Sequence, residues 1–205
     1  MKMFEPWSRA TWILLATLAA IVAVGLLGVD RQVAQLVIDH EPDGLRKSAI
    51  FFGKVGHFTI CIPPVILLLV WAVKRHWSRI CLWLVAAEAL GALTTRVIKI
   101  LFGRWRPTQL PEHYGFTFFS TSHKCNSFPS GHTTDAMAVA AVLWFVWPRL
   151  RPLYVFWVVL MAASRLCALD HFVADVAAGA IVGLCCALLT RRYFDPAQTS
   201  AAGEI

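Results

Sequence analysis

Acidic side chains are scarce in this chain: 12 Asp and Glu against 19 Lys and Arg in 205 residues, with all charged residues making up 15%. A water-soluble domain carries about a quarter. The basic residues form no stripe. They lie singly and in pairs between apolar segments, so a formal net charge of +7 does not mark a nucleic-acid surface. Cys-x-x-Cys spacing is also missing. Cys61, Cys81, Cys167, Cys185 and Cys186 lie in or beside apolar segments, where the thiol acts as a small hydrophobe, and Cys125 alone lies in a polar loop. That excludes a disulfide framework and a zinc ribbon. The length suits one bundle and leaves no room for a second domain.

What the chain has in excess is apolar length. Hydrophobic residues make up 58% and the mean hydropathy is +0.63. Thr11 to Val29 is long enough to span a bilayer and longer than the apolar core of a secretory leader, and no A-x-A site follows it. Further spans are expected at Phe58 to Val73, kinked by Pro63-Pro64, at Ile80 to Phe102, at His132 or Thr133 to Trp147, at Leu153 to Leu169, and at Phe172 to Thr190. Between the first two, Val33, Leu36 and Val37 mark one face of a short interfacial helix, followed by a turn at Pro42-Asp43-Gly44. A long polar loop runs from Gly103 to Gly131. The expected fold is an all-α, single-domain bundle of six transmembrane helices. The Lys and Arg residues of the short connecting segments favour cytoplasmic termini, which turns the long loop outward.

Six alternating spans bring three chemistry-bearing clusters to one membrane face. Lys99 to Arg106-Pro107 closes the third span. The bland reading of this cluster is snorkelling of Lys99 and Arg104 to the interface. Pro129-Ser130-Gly131-His132 opens the fourth, with Ser130 as a helix cap, Gly131 permitting close approach, and free amides facing an anion. Ser164-Arg165 to Asp170-His171 and Asp175 joins the fifth to the sixth. Ionisable groups at membrane depth mark function by default. On a helix, His171 and Asp175 share a face one turn apart, so the carboxylate can fix the tautomer and support an imidazolium. Lys99, Arg106 and Arg165, helix-start amides and two histidines fit phosphoryl transfer: cations neutralise the oxygens, one imidazole attacks, and the other protonates the leaving group. A divalent metal on His171, Asp175, His132 and Asp135 is disfavoured by those three cations.

These clusters resemble the three-part signature of the type 2 phosphatidic acid phosphatase (PAP2) superfamily, which includes bacterial acid phosphatases and vanadium haloperoxidases: K-x6-RP, PSGH and SR-x5-H-x3-D. The resemblance implies that His171 is the nucleophile forming a phosphohistidine, that Asp175 orients it, and that His132 is the general acid. It implies that Lys99, Arg106, Arg165, Ser130 and the Gly131 amide hold the phosphate, with no cofactor or metal. Phe-Val-Ala follows His171 where many members have Tyr-Pro and a small residue, and Asp170 adds a carboxylate next to the nucleophile.

The expected activity is dephosphorylation of a lipid phosphate or lipid diphosphate at the periplasmic face of a bacterial inner membrane. The candidate substrates are phosphatidylglycerol phosphate, phosphatidic acid, undecaprenyl diphosphate and lipid A phosphates. The expected partners are that lipid and the bilayer, with no nucleic acid and no obligate protein. A phosphotransferase, a non-catalytic lipid-phosphate-binding relative and a vanadate haloperoxidase are the rivals. Glu88 is expected to pair within the bundle, Arg96 to support Lys99 or pair with Asp135, and His113, His123 and Lys124 to be solvated. Gly179 and Gly183, four apart, are expected to permit close helix packing.

Overall fold

The structure is a computed structural model that describes residues 7–40, 44–55 and 78–194. Its elements are α1 (Arg9–Val24), α2 (Asp30–His40), α3 (44–55), α4 (Ser78–Phe102), α5 (Gly131–Val146), α6 (Arg151–Cys167) and α7 (Val173–Phe194). Among the described residues there is no strand, only an isolated bridge between Arg104 and Phe116. Among the described residues, four stretches are long and apolar enough to cross a membrane: Arg9–His40, Arg79–Phe102, Pro148–Cys167 and Val173–Phe194. The expected second span, Phe58 to Val73, lies outside the described residues. The expected fourth span is α5, whose 16 residues fall short of the length a perpendicular crossing needs, about 20.

α7 is the hub and packs against α5, α4 and α1. It can do so because its surface is made of small residues, among them Ala174, Ala177, Ala178, Ala180 and Ala187, all buried. The two glycines do what their spacing suggests. A Cβ at Gly179 would fall 2.4 Å from the Ser130 carbonyl oxygen, and one at Gly183 would fall 2.2 Å from that of Thr134. The backbones of α5 and α7 therefore touch. Below this contact Trp83, Leu84, Val142, Leu184 and Leu188 form the core, and the Trp83 indole donates to the Ala187 carbonyl at 3.0 Å. α1 buries none of its side chains, and Trp12, Ile13, Phe156 and Val159 are exposed on the rim, as a hydrocarbon solvent allows.

The first span ends in a bend. A π-helical turn, Gly25–Val29, follows α1, and Gly28 has φ 135°, which glycine accepts without strain. The bend turns α2 over the end of the bundle. Its inward stripe is Asp30, Val33, Ala34 and Val37, whereas Leu36, expected on the apolar face, is exposed. Part of the expected turn after α2 lies outside the described residues, and Gly44 already belongs to α3.

The loop after α4 is folded, not merely polar. Phe102, Phe116, Phe118 and Phe128 cluster within it, and Cys125, Ser127 and Arg104 are buried. The α6–α7 turn is equally definite. Leu169 has φ 55°, its N–H donates to the Leu166 carbonyl, and the Asp170 N–H donates to that of Arg165. This is a Schellman ending with leucine where glycine is usual.

Gly183→Ala is expected to force α5 and α7 apart, costing about 1–3 kcal/mol as overpacking does. Thermal unfolding in detergent should show a clear drop in midpoint. Gly91→Ala, whose Cβ would meet only a methyl group at 3.1 Å, should show less.

Candidate active site

α4 delivers the first cluster and then stops sharply. Gly103 has φ 53°, and a Cβ there would fall 2.0 Å from the Thr117 carbonyl oxygen. The chain leaves α4 extended, as the residue before a proline prefers: Arg106 has φ −82° and ψ 154°. The returning loop runs alongside, with the Arg106 N–H on the Lys124 carbonyl and the Ser127 N–H on the Arg104 carbonyl. Ser127 is thereby placed beside the α6–α7 turn. Lys99, in the last turn of α4, donates its ammonium to the Asn126 carbonyl.

Arg104 does not reach the interface. It is 1% exposed, with Nη2 2.7 Å from Asp30 Oδ2 and Nη1 2.5 Å from Asp175 Oδ1. Its guanidinium lies over the rings of Phe172, Phe116 and Tyr114, at 4.4, 5.4 and 5.8 Å. Each carboxylate also caps the start of α7. Asp175 Oδ2 accepts from the Phe172 N–H at 2.8 Å, the return half of a capping box. Phe172 has no side-chain oxygen to complete it, and Asp30 Oδ1 supplies the missing acceptor by taking the Ala174 N–H at 2.9 Å. A Cβ at Gly25 would collide with both Asp30 and Ala174, so the glycine allows this approach.

His171 precedes α7 instead of lying on it, so the expected one-turn helical geometry with Asp175 does not apply. Its Nδ1 makes a 2.7 Å hydrogen bond with the Ser127 carbonyl, which only accepts. Nδ1 therefore carries the proton, and in the neutral ring Nε2 keeps its lone pair. Asp175 Oδ2 is 3.8 Å from Nδ1, too far for a hydrogen bond, and takes the Ser127 hydroxyl instead. Ser127 orients the ring, and Asp175 acts on it through charge. Burial pushes the imidazole below the ordinary histidine range; Asp175 opposes this, while Lys99 and Arg106 add to it.

The other two arginines meet at Asp170. Arg106 Nη1 is 3.0 Å from Oδ1 and Arg165 Nη1 is 3.2 Å from Oδ2. Both are braced from behind: Arg106 Nε donates to the His123 carbonyl, and Arg165 donates through Nε to Ser164 Oγ and through Nη2 to the Ala49 carbonyl. The Arg165 guanidinium lies against Gly53 of α3, where a Cβ would fall 1.4 Å from Nη2. Ser130 is fully buried and occupies the N-cap position of α5, yet its hydroxyl makes no cap bond and accepts from Thr133 Oγ1 at 3.1 Å. Its N–H donates to the Asp175 carbonyl at 2.9 Å, tying the starts of α5 and α7 together. A Cβ at Gly131 would meet only a Thr95 methyl, at 3.9 Å, so the approach to the α5 amides is open; half-buried His132 follows.

The structure thus gathers the three motifs at one end of the bundle. Among the described residues, no three His, Cys, Asp or Glu side chains are grouped as metal ligands. Glu88 Oε1 is buried without a hydrogen-bond partner. Of the loop residues expected to be solvated, His113 stacks on Trp105 at 4.3 Å.

The sequence profile described as the PAP2 superfamily matches residues 80–198. The chain belongs to the PAP2 superfamily. Over 106 residues it is 31% identical to a lipid A 1-phosphatase of Rhizobium johnstonii, covering 51% of this chain and 43% of the relative. Over 110 residues it is 30% identical to a lipid A 1-phosphatase of Rhizobium etli, covering 53% and 47%. The chain therefore spans less than half the length of these curated relatives. Among solved structures, LpxE of Aquifex aeolicus superposes with a TM-score of 0.63 at 23% identity, covering 80% of this chain and 96% of that one. A transmembrane PAP2-type phosphatidylglycerolphosphate phosphatase of Bacillus subtilis superposes with a TM-score of 0.67 at 21% identity, covering 94% and 97%. These two likenesses are of fold. With its apolar helices, this PAP2 chain is a multi-pass membrane protein.

Asp30, Gly53, Arg104 and Ser127 were not singled out as site residues by sequence reasoning. Two carried a signal. Asp30 completes an i, i+3, i+4, i+7 stripe with Val33, Ala34 and Val37, a charge on a face otherwise read as apolar. Arg104 is two residues from Arg106 in an extended run, on the same side. Gly53 and Ser127 carried none.

Arg104→Gln leaves two buried carboxylates without their cation and is expected to cost about 3–5 kcal/mol. Arg106→Gln, whose partner is partly solvated, should cost far less. Equal unfolding midpoints for the two variants in detergent would contradict the buried clasp.

Proposed function

We propose that this PAP2 protein hydrolyses the terminal phosphate of a membrane lipid through a phosphohistidine on His171. The observation that carries the reading is the Ser127 carbonyl on His171 Nδ1, which leaves Nε2 as an unprotonated nucleophile on a ring that lies near Lys99 and Arg106. Nε2 attacks phosphorus, the bond to the lipid oxygen breaks, and His132 gives that oxygen a proton. Water then attacks phosphorus while His132 takes up its proton, and the phosphorus–nitrogen bond breaks, releasing inorganic phosphate and free His171. Asp175 supports the positive ring in between. Lys99, Arg106, Arg165 and the Ser130–Gly131 helix start neutralise the phosphate oxygens, the part a divalent ion plays elsewhere. The names of the curated relatives and of the Bacillus subtilis structure, all lipid phosphatases, support a lipid phosphate as substrate.

The cup lies where α4 and α6 end and α5 and α7 begin, so a lipid can keep its chains in the bilayer while its phosphate enters. The bias of Lys and Arg toward the short segments on the terminal side supports cytoplasmic termini and a periplasmic cup in the inner membrane.

His171→Ala is expected to abolish phosphate release from detergent-solubilised phosphatidic acid, phosphatidylglycerol phosphate, undecaprenyl diphosphate and lipid A, whichever the wild type turns over. EDTA should leave that turnover intact; a large loss restored by a divalent ion would contradict the cationic mechanism. The acid limb of kcat/KM should lie below about pH 6.5, the ordinary histidine value, because His171 must be neutral to attack and its surroundings hold it neutral to lower pH. An acid limb above that value would contradict the assignment.

A further inference from the structure

Asp170 is an acid set among cations at the place where a substrate phosphate would bind. Its two oxygens divide between two arginines, Oδ1 to Arg106 and Oδ2 to Arg165. That is how two oxygens of one phosphate would divide between them. Arg106 Nε is tied to the His123 carbonyl, and Arg165 Nε and Nη2 to Ser164 Oγ and the Ala49 carbonyl, while the Nη1 group of each arginine goes to the carboxylate. The backbone of Asp170 is anchored, with its N–H on the Arg165 carbonyl at 3.2 Å. The side chain is not enclosed: it is 32% exposed, against 5% for Arg165. It can rotate away while the arginines stay braced.

We propose that Asp170 is a resident anion that excludes phosphodiester headgroups from the cup and yields only to a doubly charged terminal phosphate. The proposal rests on the phosphatase reading and names a selectivity for it. The reason is charge arithmetic in the setting of a bilayer. Every membrane surface presents phosphodiesters at high local concentration, each with a single negative charge on its phosphate. Lys99, Arg106 and Arg165 without a counter-ion would hold such groups, and the site would stay blocked. With Asp170 in place, a phosphodiester replaces one negative charge by another and gains nothing electrostatically. A terminal phosphate brings two charges and three free oxygens, so it outcompetes the carboxylate. The same exchange helps the product leave, because the carboxylate returns to the arginines as phosphate departs.

The test uses the full chain in nonionic-detergent micelles with whichever of the four lipids the wild type hydrolyses. Phosphatidylglycerol serves as the singly charged phosphodiester competitor and diacylglycerol as the uncharged control. Asp170→Asn is expected to bind phosphatidylglycerol as a competitive inhibitor at least ~10-fold more tightly than the wild type, with KM for the substrate unchanged or lower and diacylglycerol without effect. Asp170→Glu should restore resistance. If Asp170 served only to align the arginines, Asp170→Asn would raise KM and leave phosphatidylglycerol inhibition as in the wild type; that result overturns the proposal. Should Asp170→Asn not fold, Asp170→Ser carries the same comparison, with the unfolding midpoint measured alongside. A wild type that hydrolyses none of the four lipids contradicts the phosphatase reading, and the proposal falls with it. An active wild type as sensitive to phosphatidylglycerol as its variant contradicts the role of Asp170 alone.

Discussion

The buried guanidinium of Arg104 is the constraint on which the site depends. It grips Asp30 from the N-terminal helix pair and Asp175 from the hub helix, with aromatic rings against its faces. Neither carboxylate is there for charge pairing alone, since each also takes an N–H at the start of α7. One cation therefore fixes the entry angle of α7, the placement of α2 over the bundle end, and the carboxylate beside His171. Replacing such a cluster by apolar groups is often neutral for stability, whereas removing one member is costly. Its retention in a chain poor in acids points to positional work: the clasp decides where the imidazole stands.

A second set of ion pairs lies above the first and differs in kind. Arg106, Arg165 and Asp170 are partly open, and their geometry is one that an incoming anion can take over. The lower cluster is closed, with backbone N–H groups on both of its carboxylates; the upper is braced by carbonyls and shared with solvent. Preorganisation works when donors are held before the substrate arrives. Here Ala49, Ser164 and His123 hold the arginines, and Ser127 holds the imidazole. The helix pair α2–α3, which contains no signature residue, contributes to both layers, Asp30 to the lower and Gly53 with Ala49 to the upper.

Much of this was legible in the residues. Apolar run lengths placed α1, α4, α6 and α7 within a few positions, because a hydrocarbon solvent forces helices wherever such runs occur. The three motifs named the cations and histidines that meet. What stayed hidden was what holds them. Arg104 read as a snorkelling side chain, since its partners lie 74 and 71 residues away in sequence. Gly53 matters only because a guanidinium from α6 lies on it, a contact without local pattern. The aromatic packing of the loop after α4 was masked by its polar composition, and nothing local showed that Phe172, without a capping side chain, would have Asp30 supply the missing acceptor at the start of α7.

The most direct test of the account is capture of the covalent intermediate. A radiolabelled lipid phosphate that the enzyme hydrolyses is mixed with the full chain, quenched in alkali within the first turnover, and mapped by peptide mass spectrometry. The account requires an acid-labile, alkali-stable phosphoryl group on His171. Turnover with no label on the protein, or with label on another residue, would contradict it.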